Sequence, residues 1–415
     1  MERGKIAILL TSFPNYSETF ITNQINYLIE IGFDVTIFAR THNRNELTNN
    51  PVIKKLTDKL VVYSLPEEMP QNSLQRIGAA FRLLFKKHPY RSLLWKTVNP
   101  FRFGRKAFSL HYIFLLFNLK DYLYKNFDVA HAHFGQNGNL LLDMQKLHLL
   151  RAKRTVVSFH GSDLHIINTS RYRKLFRSHA VFTVNSAYME GLLFKKGNIN
   201  SHIIPMGVGE MFFDGKATKS KTKIFTILTV ARLIPVKGIE YGIRAVKKLV
   251  EEGYKLRYLI IGDGPLLEEL KQFVAAFHLP ENVFFEGAKP QNELLEYYRN
   301  ADIFLLPGIT TGEGAQEAQG LVIQEAQAMK LPVIVTDAGG MPEGMKDGET
   351  GFIVPQKEVD PLALKIKELY HKKSLRTEMG EAGRAFVYRH YNNKTLIRKL
   401  IEEAYQLQTH AIKTA

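Results

Sequence analysis

The sequence predicts an α/β protein built from two Rossmann-like domains that face a cleft. Short apolar runs alternate with helical patterns along the whole chain, and the apolar runs are continuous, as in parallel strands covered on both faces. A chain of 415 residues is long for one domain and sufficient for two. Ligands of such sheets bind beyond the carboxyl ends of the strands, so functional residues are sought directly after each strand.

The first domain is predicted to span residues 1–207. The periodicity breaks over residues 208–223, and this segment ends in small and basic residues, which favours a linker. The candidate strands of the first domain are Lys5–Thr11, Val35–Ala39, Leu60–Tyr63, Val129–Phe134, Thr155–Phe159 and Val181–Val184.

The second domain is predicted over residues 224–390, where strands and helices alternate more regularly. Its candidate strands are Phe225–Val230, Arg257–Ile261, Val283–Glu286, Ile303–Pro307, Val333–Thr336 and Gly351–Val354. Helical patterns over about 360–371, 375–389 and 393–408 close the chain. We expect these C-terminal helices to pack back across the domains, with residues 391–415 forming the helix that crosses back to the first domain.

The composition excludes several classes of site. The sequence has no cysteine, which excludes disulfides, thiolate metal sites and a cysteine nucleophile, and which fits a reducing compartment. The apolar run after Lys5 is too short for a secretory signal, and no stretch reaches the roughly 20 apolar residues of a membrane span. We therefore expect a cytoplasmic protein, either soluble or peripheral at the inner face of the plasma membrane.

Positive charge is concentrated in the first half of the chain. Residues 1–200 hold 28 Lys and Arg against 13 Asp and Glu, and residues 71–120 hold ten basic residues, no acidic one and many aromatic residues. Such a surface suits anionic lipid, nucleic acid or a diphosphate-bearing acceptor. A membrane surface is favoured over nucleic acid, since no nucleic-acid-binding motif accompanies the charge. The alternative is an ordinary basic helical face whose aromatic residues belong to the core.

Two cations follow the first strand of the second domain. Arg232 and Lys237 lie five positions apart in the loop Ala231–Gly238, which opens onto a helix. A diphosphate suits such a loop because the helix dipole and the free amides favour an anion and the two cations neutralise it. The alternative is a pair of solvated surface cations.

A glycine-rich loop follows the next strand, with the sequence Gly262-Asp263-Gly264-Pro265. It lacks the third glycine of a dinucleotide fingerprint, which argues against a nicotinamide cofactor. The two glycines still allow the backbone to approach a nucleotide base.

The strongest constellation follows the Ile303–Pro307 strand. Glu317 lies in a Gly-rich approach, and Glu325 lies in a helix predicted to begin near Leu321. The backbone amides of Gly320–Val322 are expected to face a phosphate at the helix N-terminus. One carboxylate can then bind a ribose hydroxyl pair, and the other the hydroxyls of a sugar ring. The alternative is two exposed glutamates on a loop and a helix.

Three histidines are expected near one edge of the first sheet. His131 and His133 alternate along one strand and share a face, and His160 ends a neighbouring strand. Three imidazoles can bind zinc, but no carboxylate or cysteine pattern supports a metal site. We expect a core or hydrogen-bonding role for His131 and place His160 in the cleft. The sequence has no Asp-x-Asp motif, so no metal is expected.

Taken in order, these motifs resemble those of the retaining family 4 glycosyltransferases of the GT-B fold, most specifically over about 225–360. The matching set is Arg232 with Lys237, Gly262–Pro265, Glu317 with Glu325, Gly339–Glu343 and Asp347–Phe352. The first half resembles the branch that builds bacterial exopolysaccharide, colanic-acid-type enzymes included. Its matching segments are Ser12–Pro14, Ser17–Phe20, His131–His133 and His160–Asp163.

The resemblance implies a role for each motif, with the donor on the second domain and the acceptor on the first. Arg232 and Lys237 would hold the diphosphate of a nucleotide-sugar donor and Glu325 its ribose. Glu317 and His160 would lie at the transferred sugar. The residues expected on the acceptor side are Ser12, Phe13, Pro14, His133 and Asp163.

The predicted function is transfer of a sugar, with retention, from a nucleoside-diphosphate-sugar to a glycan or lipid-linked acceptor in bacterial surface polysaccharide synthesis. No cofactor is expected, because arginine and lysine would replace a metal at the leaving diphosphate. A non-hydrolysing nucleotide-sugar 2-epimerase and a non-catalytic nucleotide-sugar-binding protein remain alternatives. UDP and GDP donors share these contacts, so the base and the sugar stay open.

Overall fold

A computed structural model of the chain describes residues 4–15, 18–42, 61–64, 69–70, 72–85, 91–103, 105–119, 125–165, 169–214 and 224–407. The chain divides into two compact units. The first comprises Met1–Phe159, Thr169–Thr183 and Ala404–Ala415, and the second comprises His160–Asn168 and Val184–Glu403.

The first sheet has seven strands. In chain order they are β1 (Lys5–Phe13), β2 (Asp34–His42), β3 (Val61–Ser64), β4 (Asn126–His133), β5 (Arg151–Phe159), β6 (Val181–Val184) and β7 (His202–Ile203). Their order across the sheet is β3-β2-β1-β4-β5-β6-β7. β1 pairs in parallel with both β2 and β4, so the direction of chain progression reverses between β1 and β4.

Helices connect the strands of the first sheet. They are α1 (Thr19–Glu30), α2 (Ser73–Phe85), α3 (Arg91–Thr97), α4 (Pro100–Phe103), α5 (Arg105–Phe108), α6 (His111–Asn118), α7 (Gly135–Lys146), α8 (Ser162–His165), α9 (Arg173–Phe176) and α10 (Ala187–Gly197). Five of them, α2 to α6, lie between β3 and β4, and we call them the helical insert.

The second sheet has six strands, all paired in parallel. They are β8 (Phe225–Val230), β9 (Leu256–Ile261), β10 (Val283–Gly287), β11 (Ile303–Leu306), β12 (Val333–Thr336) and β13 (Gly351–Val354). Their order is β10-β9-β8-β11-β12-β13, so the reversal lies between β8 and β11. The connecting helices are α11 (Ile239–Glu251), α12 (Leu267–Ala276), α13 (Gln291–Asn300) and α14 (Leu321–Ala328).

The central strands of the second sheet are buried on both faces. All six residues of β8 are buried, because helices cover both faces of the sheet. Phe225 and Ile227 pack into one cluster, whereas Leu228 and Val230 pack into another on the opposite face. The predicted class, an α/β protein with two Rossmann-like sheets, is therefore confirmed.

The end of the chain follows the predicted helices closely. The helices are α15 (Val359–His371), α16 (Lys373–His390) and α17 (Asn393–Lys399), and a π-helical turn follows over Leu400–Tyr405. Ala404 and Tyr405 belong to the first unit, where the Arg154 side chain donates a hydrogen bond to the Ala404 carbonyl oxygen at 2.6 Å.

Besides shifts of one to four residues at other strand ends, three features differ from the sequence prediction. β1 continues through Phe13, so Ser12 and Phe13 are strand residues paired with Thr41 and His42. β7 is only two residues long and leaves no pattern in the sequence. In the segment predicted as a linker, Val208 and Phe212 are buried in the core of the second unit, and residues 215–223 lie outside the described residues.

Candidate active site

The candidate site lies at the strand reversal of the second sheet. β8 and β11 are adjacent and parallel, and the loops that follow them leave the same edge of the sheet. Between two strands whose connections run in opposite directions, these loops diverge and leave a crevice at the carboxyl ends. The loop after β8 carries Arg232 and Lys237, and the loop after β11 carries Glu317.

Backbone contacts bring these two loops together. The Ile309 amide donates a hydrogen bond to the Val236 carbonyl oxygen at 2.9 Å. Gly238 has a φ of +58°, and a Cβ there would overlap the carbonyl oxygen of Pro307. Glycine is required at this position because only a residue without a side chain permits that approach. The loop that contains Lys237 therefore packs on the segment that leads to Glu317.

Lys237 and Glu317 form an ion pair, with Nζ and Oε2 2.5 Å apart. Their side chains are only 13% and 16% exposed, respectively, so water screens the pair weakly. Burial alone would raise the pKa of Glu317, but the charges of Lys237 and Arg232 and an amide hydrogen bond outweigh it and lower the pKa. Glu317 is therefore an anion held between two cations, and the Arg232 side chain itself is exposed.

The N-terminus of α14 carries the amides that are predicted to face a phosphate. Gly320, the residue before α14, has a φ of +74°, and its amide donates to the Glu317 carboxylate. The carboxylate lies three residues earlier in the chain and satisfies an amide that the helix leaves without a partner. The contact of the Gly320 amide with a phosphate stays a prediction. Leu321 and Val322, in the first turn, are partly exposed.

The glycine pair after β12 holds the backbone around Glu317. The Gly340 amide donates to the Glu317 carbonyl oxygen at 2.9 Å. Gly339 has a φ of +63°, and a Cβ there would overlap the same oxygen. A Cβ on Gly340 would overlap the carbonyl oxygen of Ala318. Two glycines are therefore needed at this turn for the close approach that orients Glu317.

Glu325 is buried on α14, with 4% of its surface exposed. It accepts hydrogen bonds from Tyr298 Oη at 3.0 Å and Gln291 Nε2 at 3.1 Å. Burial raises the pKa of Glu325 to about 7, although both hydrogen bonds lower it. No sequence motif marks Tyr298 or Gln291. They lie seven positions apart on α13 and so share a helix face, which is the one signal the sequence offers.

The Gly262–Pro265 loop packs against the loop that carries Arg232. The Leu233 amide donates to the Asp263 carbonyl oxygen at 2.9 Å. Gly262 has a φ of +141°, and a Cβ there would overlap the backbone of the Arg232 loop. The Asp263 carboxylate accepts from the amide of Gly264 at 2.7 Å and is exposed, as is Pro265. The structure thus places the glycine loop beside Arg232, while its contact with a base stays a prediction.

His160 follows β5 directly and belongs to the second unit. The amides of His160 and Gly161 donate to Asp163 Oδ1 at 3.2 and 3.0 Å. Gly161 has a φ of +133°, and a Cβ there would lie 2.9 Å from the Cβ of Ala318, next to Glu317. Burial lowers the pKa of His160 to about 3, so this imidazole is neutral at physiological pH.

Asp163 holds the backbone of the turn that follows β5. Its side chain is buried, and its carboxylate is hydrogen-bonded to the backbone of the turn. The carboxylate therefore holds the turn that carries His160, and its expected contact with an acceptor stays a prediction.

The histidines at the end of β4 are buried. His131 Nε2 lies 2.7 Å from Ser158 Oγ, and His131 Nδ1 lies 2.8 Å from Tyr405 Oη, which confirms the expected hydrogen-bonding role. The His133 ring packs on the His131 ring with their centroids 4.2 Å apart. His133 is buried, with 1% of its surface exposed, and its acceptor-side role stays a prediction.

The remaining acceptor-side residues lie at the strand reversal of the first sheet. Phe13 and Pro14 are buried and shape this edge, whereas Ser12 is partly exposed and accepts from Asn15 Nδ2 at 3.2 Å. No sequence motif marks Asn137. Its buried side chain donates to Thr11 Oγ1 at 3.1 Å and to the His133 carbonyl oxygen at 2.8 Å. Asn137 therefore ties together the ends of β1 and β4.

Glu343, at the end of the Gly339–Glu343 motif, caps a helix. Its carboxylate accepts from the amides of Ala187 and Tyr188 at 2.7 Å each, at the N-terminus of α10. Ser186, the N-cap residue, donates from Oγ to the Ala318 carbonyl oxygen at 2.6 Å. A negative charge at the positive end of the helix dipole is favourable, so this motif anchors α10 beside Glu317.

The arrangement can bind a ligand that carries both negative charge and hydroxyl groups. Arg232 and Lys237 supply positive charge, while Glu317 and Glu325 supply acceptors for hydroxyl groups. Among the described residues, no group of three or more His, Cys, Asp or Glu side chains is arranged to hold a metal ion. No helix in those parts of the chain is long and apolar enough to cross a membrane.

Two family models match the chain. The description "Glycosyltransferase Family 4" matches residues 17–209, and "Glycosyl transferases group 1" matches residues 212–386. The second match contains Arg232, Lys237, Glu317 and Glu325.

Individual relatives match nearly the whole chain. It is 30% identical over 374 residues to a putative colanic acid biosynthesis glycosyltransferase of Salmonella typhimurium, covering 88% of this chain and 90% of that protein. It is 29% identical to an amylovoran biosynthesis glycosyltransferase of Erwinia amylovora, covering 96% and 98%. Among solved structures, Anabaena HepE in complex with UDP and glucose shares the fold, with a TM-score of 0.68, 16% identity and coverage of 98% and 100%.

Proposed function

Since the chain belongs to the family 4 glycosyltransferases and has the GT-B fold, we propose that it transfers a sugar from a nucleoside-diphosphate-sugar to a glycan or lipid-linked acceptor in bacterial surface polysaccharide synthesis. The observation that carries this proposal is the convergence of Arg232, Lys237 and Glu317 at the strand reversal, with Glu325 on the adjoining helix. The colanic acid and amylovoran names of the relatives support surface polysaccharide as the product class.

The donor is proposed to bind across the loops after β8 and β11. Arg232 and Lys237 bind the diphosphate, because both place positive charge near the Glu317 carboxylate and so at the same edge of the sheet. The ribose hydroxyls bind Glu325, whose raised pKa leaves it able to accept or donate a hydrogen bond near neutral pH. Glu317 and the neutral His160 lie at the transferred sugar. The Gly262–Pro265 loop, packed against the Arg232 loop, faces the nucleotide base.

Transfer is proposed to proceed with retention of configuration. The bond between the anomeric carbon and the diphosphate oxygen breaks, and the acceptor oxygen bonds to the same face of that carbon. The acceptor proton passes to an oxygen of the departing diphosphate, whose charge Arg232 and Lys237 stabilise. Glu317 stabilises the positive charge that develops on the sugar ring and is not assigned as a nucleophile.

The reaction is proposed to require no metal ion. The positive charge that a metal would bring to the diphosphate is supplied by Arg232 and Lys237, which face the same carboxylate. This proposal is motivated by that cation pair, and by the lack of an Asp-x-Asp motif in the sequence.

We also propose that the protein acts on the cytoplasmic side, peripheral to the inner face of the plasma membrane. The ten basic residues and the lack of acidic residues over 71–120 support attraction to an anionic surface. No nucleic acid partner is proposed.

Nucleotide release tests the proposed function. UDP- and GDP-sugars are supplied with and without a detergent extract of bacterial membranes as the source of acceptor. We expect nucleoside diphosphate release only when donor and extract are both present. Glu317→Ala should abolish this release. Glu313→Ala, an exposed glutamate four positions earlier in the same loop, should leave it unchanged.

The rival functions give different outcomes in the same assay. An epimerase converts donor with no extract present, and a binding protein takes up donor without releasing nucleotide in either condition. Full activity of Glu317→Ala would overturn the assignment of this site.

A further inference from the structure

The helical insert exposes a stripe of large apolar side chains on α2. Leu74 is 80% exposed, and Ile77, Phe81 and Phe85 are each more than half exposed. These positions follow the spacing i, i+3, i+7 and i+11, so they share one face of the helix. The rings of Phe81 and Phe85 pack on each other with centroids 4.7 Å apart. The stripe is therefore continuous along the helix and faces solvent.

Exposed apolar side chains are concentrated in the insert. Of the twelve large hydrophobic residues that are strongly exposed within the described residues, seven lie between residues 74 and 108. Besides the four on α2, they are Trp95, Phe101 and Phe108, and Phe101 is 99% exposed. Single exposed apolar side chains are ordinary on protein surfaces, but a concentration of them marks an interaction surface.

The exposure of these side chains does not result from a lack of buried residues in the insert. The insert has its own buried residues, including Ala80 and Leu84 on another part of α2 and Leu94 on α3. Tyr112 on α6 is also buried, and its Oη donates to Asp143 Oδ2 at 2.5 Å, which ties the insert to α7. The insert therefore has a packed inner side, and the stripe lies outside it.

The charge of the insert selects the partner. Residues 71–120 contain ten Lys and Arg and no Asp or Glu. Arg82 on α2 and Lys96 on α3 are exposed beside the apolar side chains. A second copy of this surface would bring like charges together, whereas an anionic lipid surface supplies opposite charge and an apolar interior. Apolar side chains flanked by basic ones are what an interfacial helix presents to such a surface.

We propose that the helical insert places the apolar face of α2, together with Trp95, Phe101 and Phe108, in the acyl boundary of an anionic membrane. This inference deepens the peripheral location proposed above and rests on it. Basic residues attract the protein to the headgroups, and the apolar side chains then enter the hydrocarbon boundary. Binding therefore has a hydrophobic component that salt does not screen.

The single tryptophan of the chain tests the proposal directly, because Trp95 lies in the insert. Its fluorescence is recorded with the full-length protein and vesicles of equal parts phosphatidylglycerol and phosphatidylcholine. We expect a blue shift on vesicle addition and quenching by lipids brominated on the acyl chain. Part of the binding should persist at about 1 M salt, where the screening length falls to about 3 Å.

Two matched variants separate the stripe from general surface hydrophobicity. The first replaces Leu74, Ile77, Phe81 and Phe85 with serine. The control replaces four exposed apolar residues of the second unit with serine, namely Phe194, Ile224, Leu364 and Tyr388. We expect the first variant to bind vesicles more than about tenfold more weakly and the control to bind like the wild type. All eight side chains are exposed, so both variants should fold.

Three outcomes would overturn the proposal. The first is unchanged Trp95 emission when the protein binds vesicles. The second is complete release of the protein from vesicles at high salt. The third is vesicle binding by the first variant that equals that of the wild type. A blue shift that depends on protein concentration without lipid would identify a second copy as the occupant instead. Vesicle binding needs no donor, so these results are independent of nucleotide release, and loss of that release in a vesicle-binding protein would count against the catalytic function alone.

Discussion

Lys237 Nζ lies 2.5 Å from Glu317 Oε2, although the two residues come from loops that follow different strands and are 80 positions apart in the chain. The pair exists because the loops after β8 and β11 are hydrogen-bonded to each other at Val236 and Ile309. In the proposed reaction the same lysine turns to the donor diphosphate when the donor binds. In this proposal, Lys237 exchanges the Glu317 carboxylate for the donor diphosphate as its anionic partner.

Lys237→Met should lower turnover by about 100- to 1,000-fold, since a cation that stabilises the leaving group is removed. It should also destabilise the fold by about 1–3 kcal/mol, because Glu317 stays partly buried without its partner. Steady-state kinetics and denaturant unfolding measure the two effects. Lys248→Met breaks an exposed pair with Asp360 and should change neither by much. Equal losses of turnover and stability in Lys237→Met and Lys248→Met would contradict the role given to Lys237.

Gly340→Ala should abolish nucleotide release, because the added Cβ would overlap the carbonyl oxygen of Ala318 and push the Glu317 backbone away from Lys237. We expect a lower melting temperature as well. Gly312→Ala is the control, since a Cβ at this exposed glycine in the loop after β11 meets no neighbouring atom within 4 Å. Near-normal activity of Gly340→Ala would contradict the role given to the glycine turn.

Tyr298→Phe should weaken donor binding several-fold, because the hydroxyl that orients Glu325 at 3.0 Å is lost. It should also raise the pKa of Glu325 further, since this hydrogen bond lowers it. Calorimetric titration with UDP and GDP measures the affinity. Tyr258→Phe removes another buried hydroxyl, one that lies 2.8 Å from Thr229 Oγ1, and should affect stability without changing affinity. Indistinguishable affinities in the two variants would argue against Glu325 as the ribose contact.

Glu325→Gln should make the protein more stable at high pH than the wild type. Burial raises the pKa of Glu325 from 4.5 to about 7, so the folded state binds the proton more tightly than the unfolded state does. The wild type then loses stability as the pH rises from about 4.5 to about 7, by about 3 kcal/mol at most. The variant lacks this loss. Unfolding midpoints of both proteins, measured across that range, test this pH dependence. The stability advantage of Glu325→Gln over the wild type should grow as the pH rises, and an advantage that shrinks would refute the prediction.

EDTA should leave nucleotide release unchanged, because Arg232 and Lys237 supply the positive charge at the diphosphate. Added Mg²⁺ or Mn²⁺ should not restore activity to Lys237→Met. A metal-dependent glycosyltransferase assayed in parallel confirms that the chelator is effective. A large loss of release with EDTA, reversed by a divalent cation, would overturn the proposed metal independence.

The sequence by itself determined the two sheets and most strand positions. Strands β8, β12 and β13 match their predicted bounds because a strand covered on both faces must be apolar throughout, and that pattern is local. The loop positions of Arg232, Lys237 and Glu317 followed from the rule that ligands bind beyond the carboxyl ends of strands. These inferences need only the order of residues along the chain.

Only the tertiary structure decided which side chains meet and which face solvent. Burial of His133 and Asp163, the Tyr298 hydroxyl on Glu325 and the Gly340 approach to Ala318 depend on distances between segments far apart in sequence. The insert shows the same limit. Sequence spacing could not tell that Tyr112 packs inward and Phe101 outward, because a helix with apolar residues on several faces has no unique inner face until its neighbours are in place.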